Sequence, residues 1–516
     1  MSSLRRPFGS PGDFREAQTT EHEQNCRPSA HSVTPPILLF PKIMPRTKSF
    51  VSGGIPKLSL LSDRPGQIVR CAGVGIARKL GFPPWQEKSP RTHSRTVREA
   101  QTRINRENRE GQNVMTQHVG ELNPPVRLML TPGPSSIDPR VYRAMATPLV
   151  GHMDPWFKGC MEETQILLRQ IFQTENRITM PLSASGSGGI EASVLNTLEE
   201  GDEGIVAVNG VFSERMFEIA TRASSKVVKV EAPYGKPVDA EDVRQAGKGK
   251  KVKIIGFAHG ETSTGVITGI DAYRKVADEL GALLIVDSVA SLAAVPIDVD
   301  KQRIDICFSG SQKAISAPPG MSPITVSPAA EEVFRKRKTK VQSWYFDLTT
   351  AMNYWGKDRL YHHTPPISLI FALREAMRLV VEEGLEARWE RHRVNQLALI
   401  AGLEAMGLDL LVKKPADRLP TVTAVMIPSG VDDVKVRNQL LDEFNIEIAG
   451  GFGAVKGKIW RVGLMGYCSQ KPFVLLFLAA LEKCLLDQGF RVPSGAGMGA
   501  AIRSYSQVET AAAVSR

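Results

Sequence analysis

The feature that most restricts what this chain can become is a series of short, almost wholly apolar segments with helical stretches between them. Residues 204–208 (GIVAV), 226–230 (KVVKV), 252–258 (VKIIGFA), 282–286 (ALLIV) and 305–308 (DICF) are rich in Val and Ile. Several are apolar almost without interruption, as in parallel strands buried on both faces. Among the intervening helices one is plain. Tyr273, Val276, Ala277 and Leu280 recur at i, i+3, i+4 and i+7, and Gly281 stops the run. This alternation predicts an α/β fold built on a mostly parallel sheet. A helical stretch over 368–406 follows, and then strands at 421–427, 446–449 and 459–464. These predict a second, smaller C-terminal α/β domain. No internal repeat is visible.

A chain of 516 residues exceeds one ordinary domain core. The expected division is a disordered basic extension (1–125), a large domain (126–385), a small domain (386–490) and a flexible tail (491–516). The extension has no sustained period and is rich in Pro, Ser, Arg, Gln and Asn. It also explains the charge. Residues 1–125 hold 19 Lys and Arg against 10 Asp and Glu, whereas residues 126–516 hold 46 against 44. The net +11 is therefore no mark of a nucleic-acid surface in the body of the protein. No run approaches the roughly 18 apolar residues of a membrane span. The expectation is thus neither a nucleic-acid nor a membrane partner. Early acids (Asp13, Glu16, Glu21, Glu23) speak against a transit peptide, and the folded part is expected to start near Met115. Cys26, Cys71, Cys160, Cys307, Cys468 and Cys484 are scattered with no CxxC spacing. They are expected to be reduced thiols in a cytoplasmic setting, with no metal site, although the extension leaves an organellar address open.

Three features could carry chemistry. The stretch SGSGG (185–189) precedes a helical run, and glycines before a helix N-terminus suit an anion as well as they suit a plain turn. It is no dinucleotide fingerprint, because Glu191 stands where the last Gly belongs. Asp287 directly follows a strand, where it can face a ligand or cap the next helix. Lys313, in SGSQK (309–313), also follows a strand, and a lysine at such depth loses its proton more readily than one at the surface. An anion cup, an acid and a lysine after three strands in that order are what pyridoxal phosphate requires: an anion site, a partner for the ring nitrogen and an amine that bonds to it.

With these features in place, residues 126–490 resemble the class V aminotransferases of fold type I, and most of all the alanine–glyoxylate and serine–glyoxylate (serine–pyruvate) group. The matching stretches are LTPGPS (130–135), GHM (151–153), SGSGG, NGVF (209–212), HGETSTG (259–265), VDSVASL (286–292), SGSQKA (309–314), APPG (317–320), YHHTPP (361–366) and WRVGLMG (460–466). The resemblance implies pyridoxal 5'-phosphate as cofactor, a homodimer with shared active sites, and ping-pong transamination between alanine or serine and glyoxylate or pyruvate. It implies that Lys313 bonds the cofactor and moves the proton, while Asp287 holds the ring nitrogen protonated. Ser187, Gly188 and Gly189 would bind phosphate, with Gln312 beside it. Tyr361 and Thr364 would reach the phosphate of the neighbouring subunit. Ser263 would contact the ring oxygen region, and Phe212 would stack on the ring where many relatives carry Trp. Relatives often have His at the place of Gly189. Arg461 would grip the substrate carboxylate, with Gly151 and His152 lining the site. His362 and His363 are expected to be structural, and Cys307 a buried hydrophobe. Alternatives are a transaminase for another small amine such as 2-aminoethylphosphonate, or a catalytically silent scaffold with this fold. A cysteine desulfurase fits less well, because Gln312 precedes the lysine where that branch usually has His.

Overall fold

A computed structural model describes residues 120–514. Most of the basic extension lies outside the described residues, with Met115, Cys26 and Cys71 among it. Seven strands make the central sheet: β1 (Ile178–Leu182), β2 (Glu203–Val208), β3 (Lys226–Glu231), β4 (Val252–Ala258), β5 (Leu283–Asp287), β6 (Ile306–Phe308) and β7 (Ser322–Val326). Their order is β1-β7-β6-β5-β4-β2-β3. β7 is antiparallel to both neighbours, and every other pair runs parallel. The five apolar runs read from the sequence all form strands, β2 to β6. The other two were hidden by their prolines, which argue against a strand interior. Pro181 of β1 and Pro323 of β7 lie opposite one another, so the ladder loses its donors at a single rung.

The predicted helix is Ile270–Leu280. The long helical stretch is two helices, Ile367–Glu383 and Leu385–Ala405, broken where Gly384 takes φ +84°. Beyond them, β8 (Val422–Met426), β9 (Ala449–Gly450) and β10 (Ile459–Gly463) form an antiparallel sheet in the order β8-β10-β9. The strand expected at 446–449 divides: Ile446–Glu447 pairs instead with Leu128–Met129. Buried apolar residues gather in one large cluster from Ile137 to Val380, and in a second from Ala398 to Tyr505 that also takes in Leu130.

The flexible tail is corrected. Residues Ala496–Val514 form a helix. Ala501 and Tyr505 are buried, and the Tyr505 hydroxyl donates to Asn395 Oδ1 at 2.7 Å. The small residues that made the segment read as loose are what let two helices approach closely. A Cβ on Gly402 would stand 2.9 Å from the Gly497 carbonyl oxygen. Among the described residues no helix is long and apolar enough to cross a membrane.

Candidate active site

The chain turns at the carboxyl ends of the parallel strands deliver the polar residues to one edge of the sheet, where ligands of open α/β sheets bind. β1 leads to Ser185 and its helix, β2 to Phe212, β4 to Glu261, β5 ends on Asp287, and β6 leads to Gln312 and Lys313.

Lys313 and Asp287 are both buried, at 6% and 3% exposure. Burial, aided by the Arg461 charge, brings the lysine down to about 8, while burial pushes the aspartate up to about 7. Two groups with ordinary values far apart thus come close to neutrality together. Among the described residues the Asp287 side chain has one hydrogen bond, from the Val289 N–H at 2.8 Å. Lys313 Nζ donates to the Pro132 carbonyl and lies 5.9 Å from the Phe212 ring centroid. The loop of residues 130–135 wraps it: Ser135 donates to the carbonyls of Gln312 (N–H, 3.1 Å) and Lys313 (Oγ, 3.1 Å). Gly133 leaves room for the lysine, because a Cβ would fall 2.4 Å from Lys313 Cδ and 2.8 Å from Nζ. The sequence carried this loop as LTPGPS without revealing what it holds.

The residues expected to bind an anion lie at the start of a helix. The helix Gly186–Thr197 starts from Ser185 as N-cap, so the N–H groups of Gly186 and Ser187 open its first turn and are free of helix partners. Those of Gly188 and Gly189 already bond to the Ser185 carbonyl, at 2.8 and 3.4 Å. Gly188 and Gly189 also pack closely against their surroundings. A Cβ on Gly189 would meet Ser322 Oγ at 2.4 Å and Phe308 at 2.8 Å. The Ser187 hydroxyl accepts from Arg215 Nη1 at 2.8 Å. The N-cap preference of serine was the signal that could have set the boundary. Arg215, a helix turn beyond Phe212 and 5.1 Å from that ring, had no signal in the sequence.

Arg461 is 3% exposed on β10, and burial lowers it to about 10. Its Nε donates to the Gly450 carbonyl (2.8 Å) and Nη1 to the Thr262 carbonyl (3.2 Å), and the Phe452 ring lies 4.1 Å away. Among the described residues it has no carboxylate partner, so a structural ion pair does not explain it.

The Ser263 hydroxyl accepts from the Val211 N–H at 2.9 Å and donates to Glu261 at 2.6 Å, so it ties two segments of protein together. Tyr361 and Thr364 are exposed and contact each other (3.5 Å). The His152 ring lies 5.3 Å from Tyr361, next to an exposed Gly151. These four residues form a group of their own on an outer face. His362 stacks on Trp344 and bonds to His363, which reaches Ser183 Oγ at 2.7 Å. Cys307 lies within β6, and burial pushes its thiol up to about 12. Among the described residues no group of three or more His, Cys, Asp and Glu could hold a metal ion.

The residues present fit pyridoxal phosphate. A helix N-terminus with Ser185, Ser187 and Arg215 offers an anion site. Gln312, whose side-chain oxygen is buried with no partner, lies beside the lysine and has an amide NH2 group able to donate to a phosphate. The buried Asp287 carboxyl, with its single hydrogen bond from Val289, has the capacity to accept one from a ring nitrogen. A mostly parallel sheet that gathers such a set at its carboxyl edge defines the fold type I class of pyridoxal-phosphate-dependent transferases.

Comparison with known proteins narrows the class. The aminotransferase class-V family model matches residues 142–470. The (S)-ureidoglycine–glyoxylate transaminase of Bacillus subtilis is 41% identical over 412 residues, covering 76% of this chain and 99% of that protein. The alanine–glyoxylate aminotransferase of Callithrix jacchus is 40% identical over 367 residues, 70% of this chain and 89% of that one. The crystal structure of an alanine–glyoxylate aminotransferase from Nostoc sp. superposes with a TM-score of 0.70 at 43% identity, covering 72% of this chain and 98% of that one. The chain belongs to the class V aminotransferases.

Proposed function

We propose that the protein transfers the amino group of a small L-amino acid, alanine or serine, to glyoxylate or pyruvate in a ping-pong cycle on pyridoxal 5'-phosphate. One observation carries this reading. A lysine lowered to about 8, an aspartate raised to about 7 and an arginine with no carboxylate partner share one buried site. When bound, the cofactor supplies the electron sink that lets a C–H bond at the donor's α-carbon be broken heterolytically. Lys313 would bond the cofactor at rest; once the donor's amine has displaced it, its freed Nζ, lowered to about 8 by burial, would take the proton from the donor's α-carbon and return it to the cofactor carbon on the other side of the shared nitrogen. Asp287 shares its proton with the ring nitrogen, and a cation placed there stabilises the carboxylate that burial otherwise disfavours. Phe212 packs on the ring face. Ser187, Gly188 and Gly189 at the helix N-terminus, with the free N–H groups of Gly186 and Ser187, the Ser185 hydroxyl, the Gln312 amide NH2 group and Arg215, hold the phosphate. Arg461 binds the carboxylate common to donors and acceptors with the donors its two carbonyl bonds leave free.

Tyr361 and Thr364, with Gly151 and His152, serve the site of a second copy, which makes the enzyme a homodimer. Trp156, Trp344, Leu360 and Tyr361 are exposed, which supports an apolar contact face of this kind. The small domain, from residue 386, supplies Arg461. The setting is cytoplasmic.

A second donor, (S)-ureidoglycine, is favoured by the match to 99% of the Bacillus subtilis transaminase. Arg461 does not separate it from alanine or serine, since all carry the carboxylate. A half-reaction screen decides: purified protein loaded with pyridoxal phosphate is mixed with each donor, its visible spectrum followed, and glyoxylate added. The expected result is loss of the absorbance band with a donor and its return with glyoxylate. A protein that takes up no pyridoxal phosphate, or whose band no amino donor alters, overturns the reading.

A further inference from the structure

Glu261 lies after β4 in a short hairpin, Gly260–Glu261 against Val266–Ile267. Its side chain is fully buried (0% exposure). Among the described residues it forms no ion pair and no hydrogen bond to Lys313 or Asp287. Its Oε2 accepts from the Ser213 N–H at 2.9 Å and the Ser213 hydroxyl at 3.0 Å. Its Oε1 accepts from the Ser263 N–H at 3.0 Å, the Ser263 hydroxyl at 2.6 Å and the Phe212 N–H at 3.4 Å.

These donors belong to two segments that matter to the reaction. One is the first turn of helix Val211–Ala223, which carries Phe212. The other is the hairpin turn that carries Thr262, whose carbonyl holds Arg461. The N-cap of that helix is Gly210, which has no side chain to cap with. Its first N–H groups would be orphaned in a buried place. Ser263 Oγ takes that of Val211 and Glu261 those of Phe212 and Ser213, from another element, and Gly210 leaves the room: a Cβ there would lie 2.4 Å from Glu261 Cγ and Cδ. Each carboxylate oxygen faces at least one backbone N–H, which can only donate. An amide in either orientation would set an NH2 group against one of them, so a carboxylate is chemically required and a glutamine of the same shape is not equivalent.

We propose that Glu261 is a positioning residue, whose carboxylate caps the helix that presents Phe212 and fixes the turn whose Thr262 carbonyl aims Arg461. The proposal rests on the reading above that Phe212 and Arg461 face cofactor and substrate. The charge of Glu261 also reaches the site. It raises the proton affinity of Asp287, Lys313, Arg461 and Tyr234, while Arg215 acts on Asp287 in the opposite sense.

Two variants separate reach from charge. E261D keeps the charge on a side chain one methylene shorter, and E261Q removes the charge. The readouts are the pH midpoint of Lys313 labelling by trinitrobenzenesulfonate in the cofactor-free full chain, the affinity for pyridoxal phosphate, and KM for donor and acceptor. In E261Q the labelling midpoint is expected to fall by about half to one pH unit. Its pyridoxal phosphate affinity is expected to fall, and both KM values to rise, by roughly tenfold or more. E261D is expected to show the same losses of affinity with the midpoint unmoved. Wild-type cofactor affinity and KM in both variants overturn the proposal, and so does an unmoved midpoint in E261Q. If neither variant folds, S263A removes one donor and leaves the charge. It is expected to raise KM a few-fold, and a wild-type KM there overturns the proposal. A chain that turns over no donor, yet loses pyridoxal phosphate affinity in E261Q, refutes transamination and leaves the positioning of Phe212 standing.

Discussion

Replacing Gly133 by alanine tests whether the loop of residues 130–135 sets the position of Lys313. Gly133 has φ +93°, and a Cβ built on it lies 2.4 Å from Lys313 Cδ, 2.7 Å from Cε and 2.8 Å from Nζ. Ordinary carbon contacts start near 3.5 Å, so one side must move by about 1 Å. The backbone at 133 is held by its neighbours, since Ser135 bonds to the carbonyls of Gln312 and Lys313. The lysine tail is softer and yields. The left-handed φ costs an alanine about 1–3 kcal/mol, which a protein of this size tolerates. The chemical effect is larger, because a misplacement of about 1 Å at the reacting atom costs on the order of a hundredfold in rate. The expected outcome is a folded variant with modestly lowered urea stability and a single-turnover rate down by roughly two orders of magnitude. Stopped-flow mixing of the loaded variant with alanine reads the rate, and urea denaturation of the same preparation reads the fold. A wild-type rate would falsify the claim that this loop places the amine.

Further expectations follow from the same geometry. Arg461→Lys keeps a charge but cannot hold two carbonyls and still offer a fork; losing one charge-assisted hydrogen bond at about 1.5–3 kcal/mol should raise KM for donor and acceptor by about 10- to 150-fold, with the cofactor band intact. Steady-state kinetics check this, and equal KM values in the two proteins would return Arg461 to a structural role. In the cofactor-free protein Asp287 holds its proton to about 7, whereas in the unfolded chain it releases it near 3.8. Between those values the folded state binds more protons, so stability falls as pH rises, on the order of a few kcal/mol in all. Asp287→Asn should flatten that decline, read as denaturation midpoints from pH 4 to 7, and a slope identical to wild type would count against the burial argument. Tyr505→Ala should lower stability by about 3–5 kcal/mol, since it removes a buried ring and its bond to Asn395; a melting curve like that of the wild type would mean that the C-terminal helix is not part of the core.

The sequence by itself determined the parallel core of the sheet and the positions of its decisive residues. Runs such as 252–258 are apolar on both faces, and that property belongs to the residues and not to their partners. Asp287 and Lys313 were legible for the same reason: each directly follows such a strand, and the carboxyl end of a parallel strand is where ligands bind whatever the rest of the chain does. β1 and β7 were not legible, because Pro181 and Pro323 are unfavourable alone and acceptable only opposite one another. The helix at 496–514 was not legible either, since small residues signal looseness unless a second helix is known to press against them.

The site divides along the same line. Lys313, Asp287, Phe212, Gln312 and Arg461 could be named from local pattern and resemblance. Tertiary structure alone decided that the helix after Ser185 leaves the N–H groups of Gly186 and Ser187 free, that Ser263 bonds to Val211 and Glu261, that Gly133 makes room for the lysine, and that exposed Tyr361 stands beside His152. The boundary of a helix depends on which N–H finds an acceptor. The displaced values of Lys313 and Asp287 depend on how much water their neighbours exclude. Both are sums over residues distant in sequence. For Glu261, at the middle of five hydrogen bonds from residues 212, 213 and 263, the spacing along the chain carries no trace of the contacts that define it.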